Sequence, residues 1–72
     1  MCGIIGIVSK TEVVDKLIKG LKQLEYRGYD SSGVVTANSN SLYRRRSVGK
    51  LLNLRKQLKE KPILGTIGIG HT

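Results

Sequence analysis

Cys2-Gly3-Ile4-Ile5-Gly6-Ile7-Val8 and Val13-Val14-Asp15-Lys16-Leu17-Ile18-Lys19-Gly20-Leu21-Lys22-Gln23-Leu24 set two periods side by side near the start of the chain. The first stretch is apolar on both faces and β-branched, which predicts a buried strand rather than an alternating edge strand. In the second, Val13, Val14, Leu17, Ile18, Leu21 and Leu24 recur at spacings of three and four, one apolar stripe of a helix. Lys16, Lys19, Lys22 and Glu25 fill the opposite side. Thr11 is placed to cap this helix, with Glu12 and Asp15 at the positive end of its dipole. Gly20 inside it costs about 1 kcal/mol against Ala, which points to close packing there. The helix should end near Tyr26-Arg27-Gly28, where Gly28 suits a left-handed cap.

Working outward, Tyr29-Asp30-Ser31-Ser32-Gly33 reads as a turn-rich loop and Gly33 to Ala37 as a strand. Asn38-Ser39-Asn40-Ser41 is polar and turn-forming, and Leu42 to Val48 is the returning strand of a hairpin. A second helix is expected from about Lys50 to Lys59, with Val48, Leu51, Leu52, Leu54 and Leu58 as its apolar set and Pro62 as its stop. Ile63 to Thr72 then reads as a strand carrying Ile67, Ile69 and His71 on one face and Gly68 and Gly70 on the other. The glycine face lets another backbone or a ligand approach closely. The order strand, helix, strand, strand, helix, strand is that of an α+β chain.

Composition narrows the class. The 72 residues make at most one small domain. One cysteine cannot staple a secreted scaffold, and one Cys with one His is a poor start for a zinc module. No apolar run reaches the roughly 18–20 residues of a membrane-spanning helix, and no basic segment leads into a signal-type apolar core. A cytoplasmic chain with no metal or organic cofactor is expected. Thirteen Lys+Arg against five Asp+Glu leave a net charge of +8, which raises nucleic acid as a partner. Aromatics for base stacking are scarce, the basic residues are spread along the chain, and strand alternation would divide Arg44, Arg45 and Arg46 between two faces. A solvated charged surface is the better reading.

Three places could carry chemistry. Removal of the initiator Met before a small residue would leave Cys2 with both a thiol and a free α-amine. Such an amine titrates at about 7.7–8.0 and a thiol at about 8.5, so near neutrality the amine can take the thiol proton, directly or through water. The alternative is that Cys2 is a small buried hydrophobe with no role. Arg27 to Gly33 is the second cluster: an arginine at a helix end can hold a carboxylate or phosphate, and Asp30 and the serines can organise the loop through side-chain-to-backbone bonds. The alternative is an ordinary helix stop. His71 is the third, a conceivable base for Cys2, though a lone His on an apolar strand face is more often a hydrogen-bonded core residue and no third, orienting group is evident.

Met1-Cys2-Gly3-Ile4-Ile5-Gly6, then Leu24-Glu25-Tyr26-Arg27-Gly28-Tyr29-Asp30-Ser31-Ser32-Gly33, then Gly68-Ile69-Gly70-His71-Thr72 resemble the start of the class II glutamine amidotransferase domain of the glutamine–fructose-6-phosphate aminotransferase family. The resemblance runs through the whole chain in order, and the L-E-Y-R-G-Y-D-S block separates this family from other amidotransferases that begin C-G-I. It implies an N-terminal-nucleophile hydrolase fold, of which residues 1–72 would be an incomplete αββα sandwich. It implies that Cys2 attacks the glutamine side-chain amide, that the thioester is hydrolysed to glutamate, and that ammonia passes to a sugar-phosphate isomerase domain for glucosamine 6-phosphate synthesis. Arg27 and Gly28 would line the cysteine's pocket. In the family, G-x-G/A-H-T continues into R-W-A-T-H-G, whose Arg holds the glutamine α-carboxylate, and further on come the oxyanion-hole Asn-Gly and an Asp for the substrate ammonium. None of these follows Thr72 here. The expectation is therefore a fragment that is inactive alone, whose partners are glutamine and the rest of the glutaminase and isomerase domains. The competing readings are a non-catalytic remnant that pairs its open sheet with another chain, and a basic nucleic-acid-binding protein.

Overall fold

The computed structural model describes residues 2–72. Its elements are β1 (Ile4–Val8), α1 (Val14–Leu24) continued by a 3-10 turn (Glu25–Arg27), β2 (Ser31–Asn38), β3 (Ser41–Val48), α2 (Leu51–Glu60) and β4 (Ile67–His71). The α+β order expected from the sequence is the order observed. All pairings are antiparallel, and the sheet order is β1-β4-β2-β3. The last strand in sequence thus lies inside the sheet, paired with β1 on one side and β2 on the other.

Both helices cover one face of this sheet. Val13, Leu17 and Leu21 from the α1 region, Val34 from β2, Leu51, Leu54 and Leu58 from α2, and Ile63 form a single buried core. Burying a leucine of this kind contributes about 1.5–3 kcal/mol. Gly68 and Gly70 share one face, as the alternation predicted, and that face points into this layer. A Cβ on Gly68 would lie 2.9 Å from both Leu17 Cδ1 and the Val35 carbonyl oxygen, so only glycine lets α1 seat against β4. Gly20 does the same for Ile5 of β1.

The other face of the sheet is uncovered. Its residues form three cross-strand rows: Ile4–His71–Gly33–Arg46, Gly6–Ile69–Val35–Arg44 and Val8–Ile67–Ala37–Leu42. Ile4, Val8, Leu42, Ile67 and Ile69 are exposed there. This corrects the reading of β1 as a buried strand. It is an edge strand with alternating burial, apolar on both sides although helices cover only one.

Three boundaries also differ from expectation. Thr11 does not cap α1; Val13 holds the cap position without a side-chain bond, and the Thr11 hydroxyl accepts from Lys16 Nζ at 3.3 Å. The entry to α1 is instead tied to the approach to β4: Gly65 N–H donates to Glu12 Oε2 at 2.5 Å and Val13 N–H to the Gly65 carbonyl at 2.9 Å. Residues 63–66 are accordingly not strand. The Leu64 carbonyl accepts from the buried Thr36 hydroxyl at 2.9 Å, and the Thr66 carbonyl accepts from Ser9 N–H at 2.8 Å. β2 begins at Ser31 rather than Gly33, because Ser31 and Ser32 pair with Val48 and Ser47. In the second helix Leu51, Leu54 and Leu58 are buried as expected, whereas Leu52 and Val48 are exposed.

Candidate active site

Cys2 lies just ahead of β1, at the end of the sheet where β4 finishes. The Thr72 N–H donates to the Gly3 carbonyl at 3.0 Å, which zips the two strands up to the residue beside the cysteine. The thiol is free and exposed. That removes the reading of Cys2 as a packed hydrophobe, and it also places the thiol before the strand rather than within a buried one.

The Arg27–Gly28 segment is delivered to the same end by α1. Leu24, the last residue of the helix, packs against Gly3. The 3-10 turn follows, Gly28 N–H donates to the Glu25 carbonyl at 3.1 Å, and the chain reverses at Gly28 with φ +77° and ψ 144°. The positive φ demands glycine as expected, but the extended ψ makes this a sharper exit than a left-handed cap. Arg27 is exposed.

What holds this loop was not legible from spacing. The Tyr29 hydroxyl donates to Glu25 Oε2 at 2.8 Å and accepts from Leu51 N–H at 2.6 Å. One side chain thereby joins the turn after α1 to the first residue of α2, whose Lys50 cap position makes no side-chain bond. Gly49 N–H adds a bond to the Asp30 carbonyl at 2.8 Å. Burial, and secondly the Glu25 carboxylate, raise the Tyr29 pKa above 10.0, against a smaller opposing effect of the Leu51 N–H. The four-residue spacing of Glu25 and Tyr29 permits the contact to Glu25, but no spacing signals the one to Leu51, 22 residues on.

The serines of the loop do not organise it by side-chain bonds. Ser32 is in β2 with its hydroxyl buried under the helices, and Oγ has no hydrogen-bond partner among the described residues. His71 is half-buried on the uncovered face, between Ile4 and Gly33 in its row. It is neither in the core nor hydrogen-bonded among the described residues, contrary to the expectation. Arg44 and Arg46 are exposed on the uncovered face, while Arg45 turns to the helix side and donates to the Lys61 carbonyl at 3.0 Å. The basic triplet is divided, as alternation required. No three His, Cys, Asp or Glu side chains gather to hold a metal ion among the described residues.

No family model matches the chain. All 72 residues align at 57% identity with the isomerizing glutamine–fructose-6-phosphate aminotransferase of Rhizobium meliloti (strain 1021). They align at 58% with the enzymes of the same name from Mesorhizobium japonicum and Bartonella quintana. The chain is homologous to the amino-terminal region of these aminotransferases. It spans 12% of the length of each of these three relatives. No helix among the described residues is long and apolar enough to cross a membrane.

Proposed function

We propose that residues 1–72 are the amino-terminal part of a class II glutamine amidotransferase domain, with Cys2 as its nucleophile. The observation that supports this reading is an exposed, free Cys2 thiol beside Gly3, against which Leu24 packs three residues before Arg27, in a chain 57% identical throughout to a glutamine–fructose-6-phosphate aminotransferase. After loss of Met1, the Cys2 α-amine takes the thiol proton and the thiolate attacks the side-chain amide carbon of glutamine. Ammonia leaves, and water hydrolyses the thioester to glutamate. Arg27 and Gly28 form one wall of the pocket. The ammonia aminates fructose 6-phosphate in the complete, cytoplasmic enzyme, and the uncovered sheet face is where the second sheet of an αββα sandwich would pack.

Residues 1–72 would supply the nucleophile and the loop beside it, and the substrate clamp and oxyanion donors that the resemblance implies belong to other parts of such a domain. Loss of a single such donor costs about 10²–10³ in rate. A peptide limited to residues 1–72 should therefore release no ammonia from glutamine. Supplied with the remainder of a glutaminase domain from one of its relatives, it should form glutamate and ammonia, and Cys2→Ala should abolish that. Mass spectrometry should also find the chain starting at Cys2 and a glutamine-like diazoketone bonded to its sulfur. A complemented thiol that resists the diazoketone would overturn the catalytic reading and leave a non-catalytic remnant that binds through its bare sheet face. The nucleic-acid reading loses ground because the arginine triplet is split between faces.

A further inference from the structure

Arg27 and Gly28 lie inside a small ring closed by a side chain. Glu25 and Tyr29 flank them, and the Tyr29 hydroxyl returns to the Glu25 carboxylate at 2.8 Å. The same oxygen accepts from Leu51 N–H at 2.6 Å, across 22 residues of sequence. That N–H opens α2, where the first four donors have no partner within the helix. A side chain from another element therefore supplies the cap that Lys50 does not. The bond between Gly49 N–H and the Asp30 carbonyl runs parallel to it, so the loop is held to the head of α2 at two successive residues.

We propose that Tyr29 is a positioning residue: its hydroxyl latches the Arg27–Gly28 turn to the start of α2 and so fixes that wall beside Cys2. The catalytic meaning of the latch rests on the glutaminase reading; its existence does not. The positive φ of Gly28 makes the turn sharp but leaves glycine conformationally permissive, so another constraint has to select one geometry. The two bonds to the Tyr29 hydroxyl supply such a constraint. Glu25 contributes by accepting the hydrogen bond of the Tyr29 hydroxyl, which closes the ring around Arg27 and Gly28.

Amide hydrogen exchange on this chain tests the latch without any enzyme assay. Tyr29→Phe keeps the ring and removes the oxygen. It should speed exchange at Leu51 by about tenfold, the weight of one hydrogen bond of this kind, and shift the Arg27 and Gly28 amide resonances. The amides that join β2 to β4 should keep their protection. Glu25→Gln, which still accepts the hydroxyl proton, should leave Arg27 and Gly28 where they are, whereas Glu25→Ala should move them and spare Leu51. Unchanged Leu51 exchange in Tyr29→Phe, or a parallel loss across Leu51 and the central strands, would overturn the proposal. If Tyr29→Phe does not fold, the split between Glu25→Gln and Glu25→Ala decides it. Failure of the chain to form a thioester leaves each of these results unaffected.

Discussion

At the scale of single residues, two hydroxyls of the Y-D-S-S block behave oppositely. Tyr29 is half-buried and doubly bonded, while Ser32 is fully buried with no hydroxyl partner among the described residues. A buried hydroxyl left without a partner costs about 1–3 kcal/mol. Tyr29 has a pH signature. Its proton is held more tightly in the folded chain, by burial first and by the Glu25 carboxylate second. The folded state therefore binds more protons than the unfolded state above pH of about 10, and stability falls as pH rises through the raised pKa. Its contribution is intact below pH of about 10. Urea midpoints measured between pH of about 9 and 11.5 should drop more steeply for the natural chain than for Tyr29→Phe. Parallel curves would remove Tyr29 from the alkaline transition.

At the scale of elements, the fit of α1 onto β4 depends on atoms that are not there. Gly68 touches Leu17, Val13 and the Val35 carbonyl closely enough that one methyl group has no room. Because one of those neighbours is backbone, the clash cannot be relieved by a rotamer change. Gly68→Ala should destabilise the chain by about 1–3 kcal/mol, read as a lowered thermal midpoint. An unchanged midpoint would mean that α1 rides further from the sheet than described. The elements themselves were largely legible: the α1 stripe, the hairpin, the Pro62 stop and the two faces of β4 follow from periodicity. Their joints were not. Glu12 at Gly65 and Tyr29 at Leu51 are contacts across 53 and 22 residues, and no local pattern encodes them.

At the scale of the molecule, a chain with a radius of gyration of 11.2 Å is as compact as a folded domain of its length, about 11 Å. Yet it is a slab of 33 × 22 × 15 Å, one sheet under one helical layer. A domain of this size buries only about 60% of its unfolded surface, and here a full sheet face adds to what stays wet. Ile4 and Val8 are each 79% exposed, and Ile67 and Ile69 about half. Contiguous apolar surface of this kind promotes association. Sedimentation should show self-association that grows with concentration, and Ile69→Lys should suppress it without lowering the thermal midpoint, since Ile69 is outside the helix-covered core. Equal association by Ile69→Lys would place the sticky surface elsewhere.

The candidate site was legible in part. The resemblance singled out Cys2, Arg27 and Gly28, and the packing of Leu24 at the end of α1 against Gly3 brings their segments to one end of the sheet, but nothing in the spacing showed that Tyr29 bridges the loop to α2. By itself the sequence determined the number, kind and order of the elements and which residues of β4 share a face. These rest on local periodicity, the stop at Pro62 and the absence of side chains at Gly68 and Gly70. Only the tertiary structure decided that β4 enters the sheet between β1 and β2, that β1 is an edge, and that one apolar face lies bare. A strand pattern records which faces are apolar, but what covers each face is settled by pairing between residues far apart in the chain.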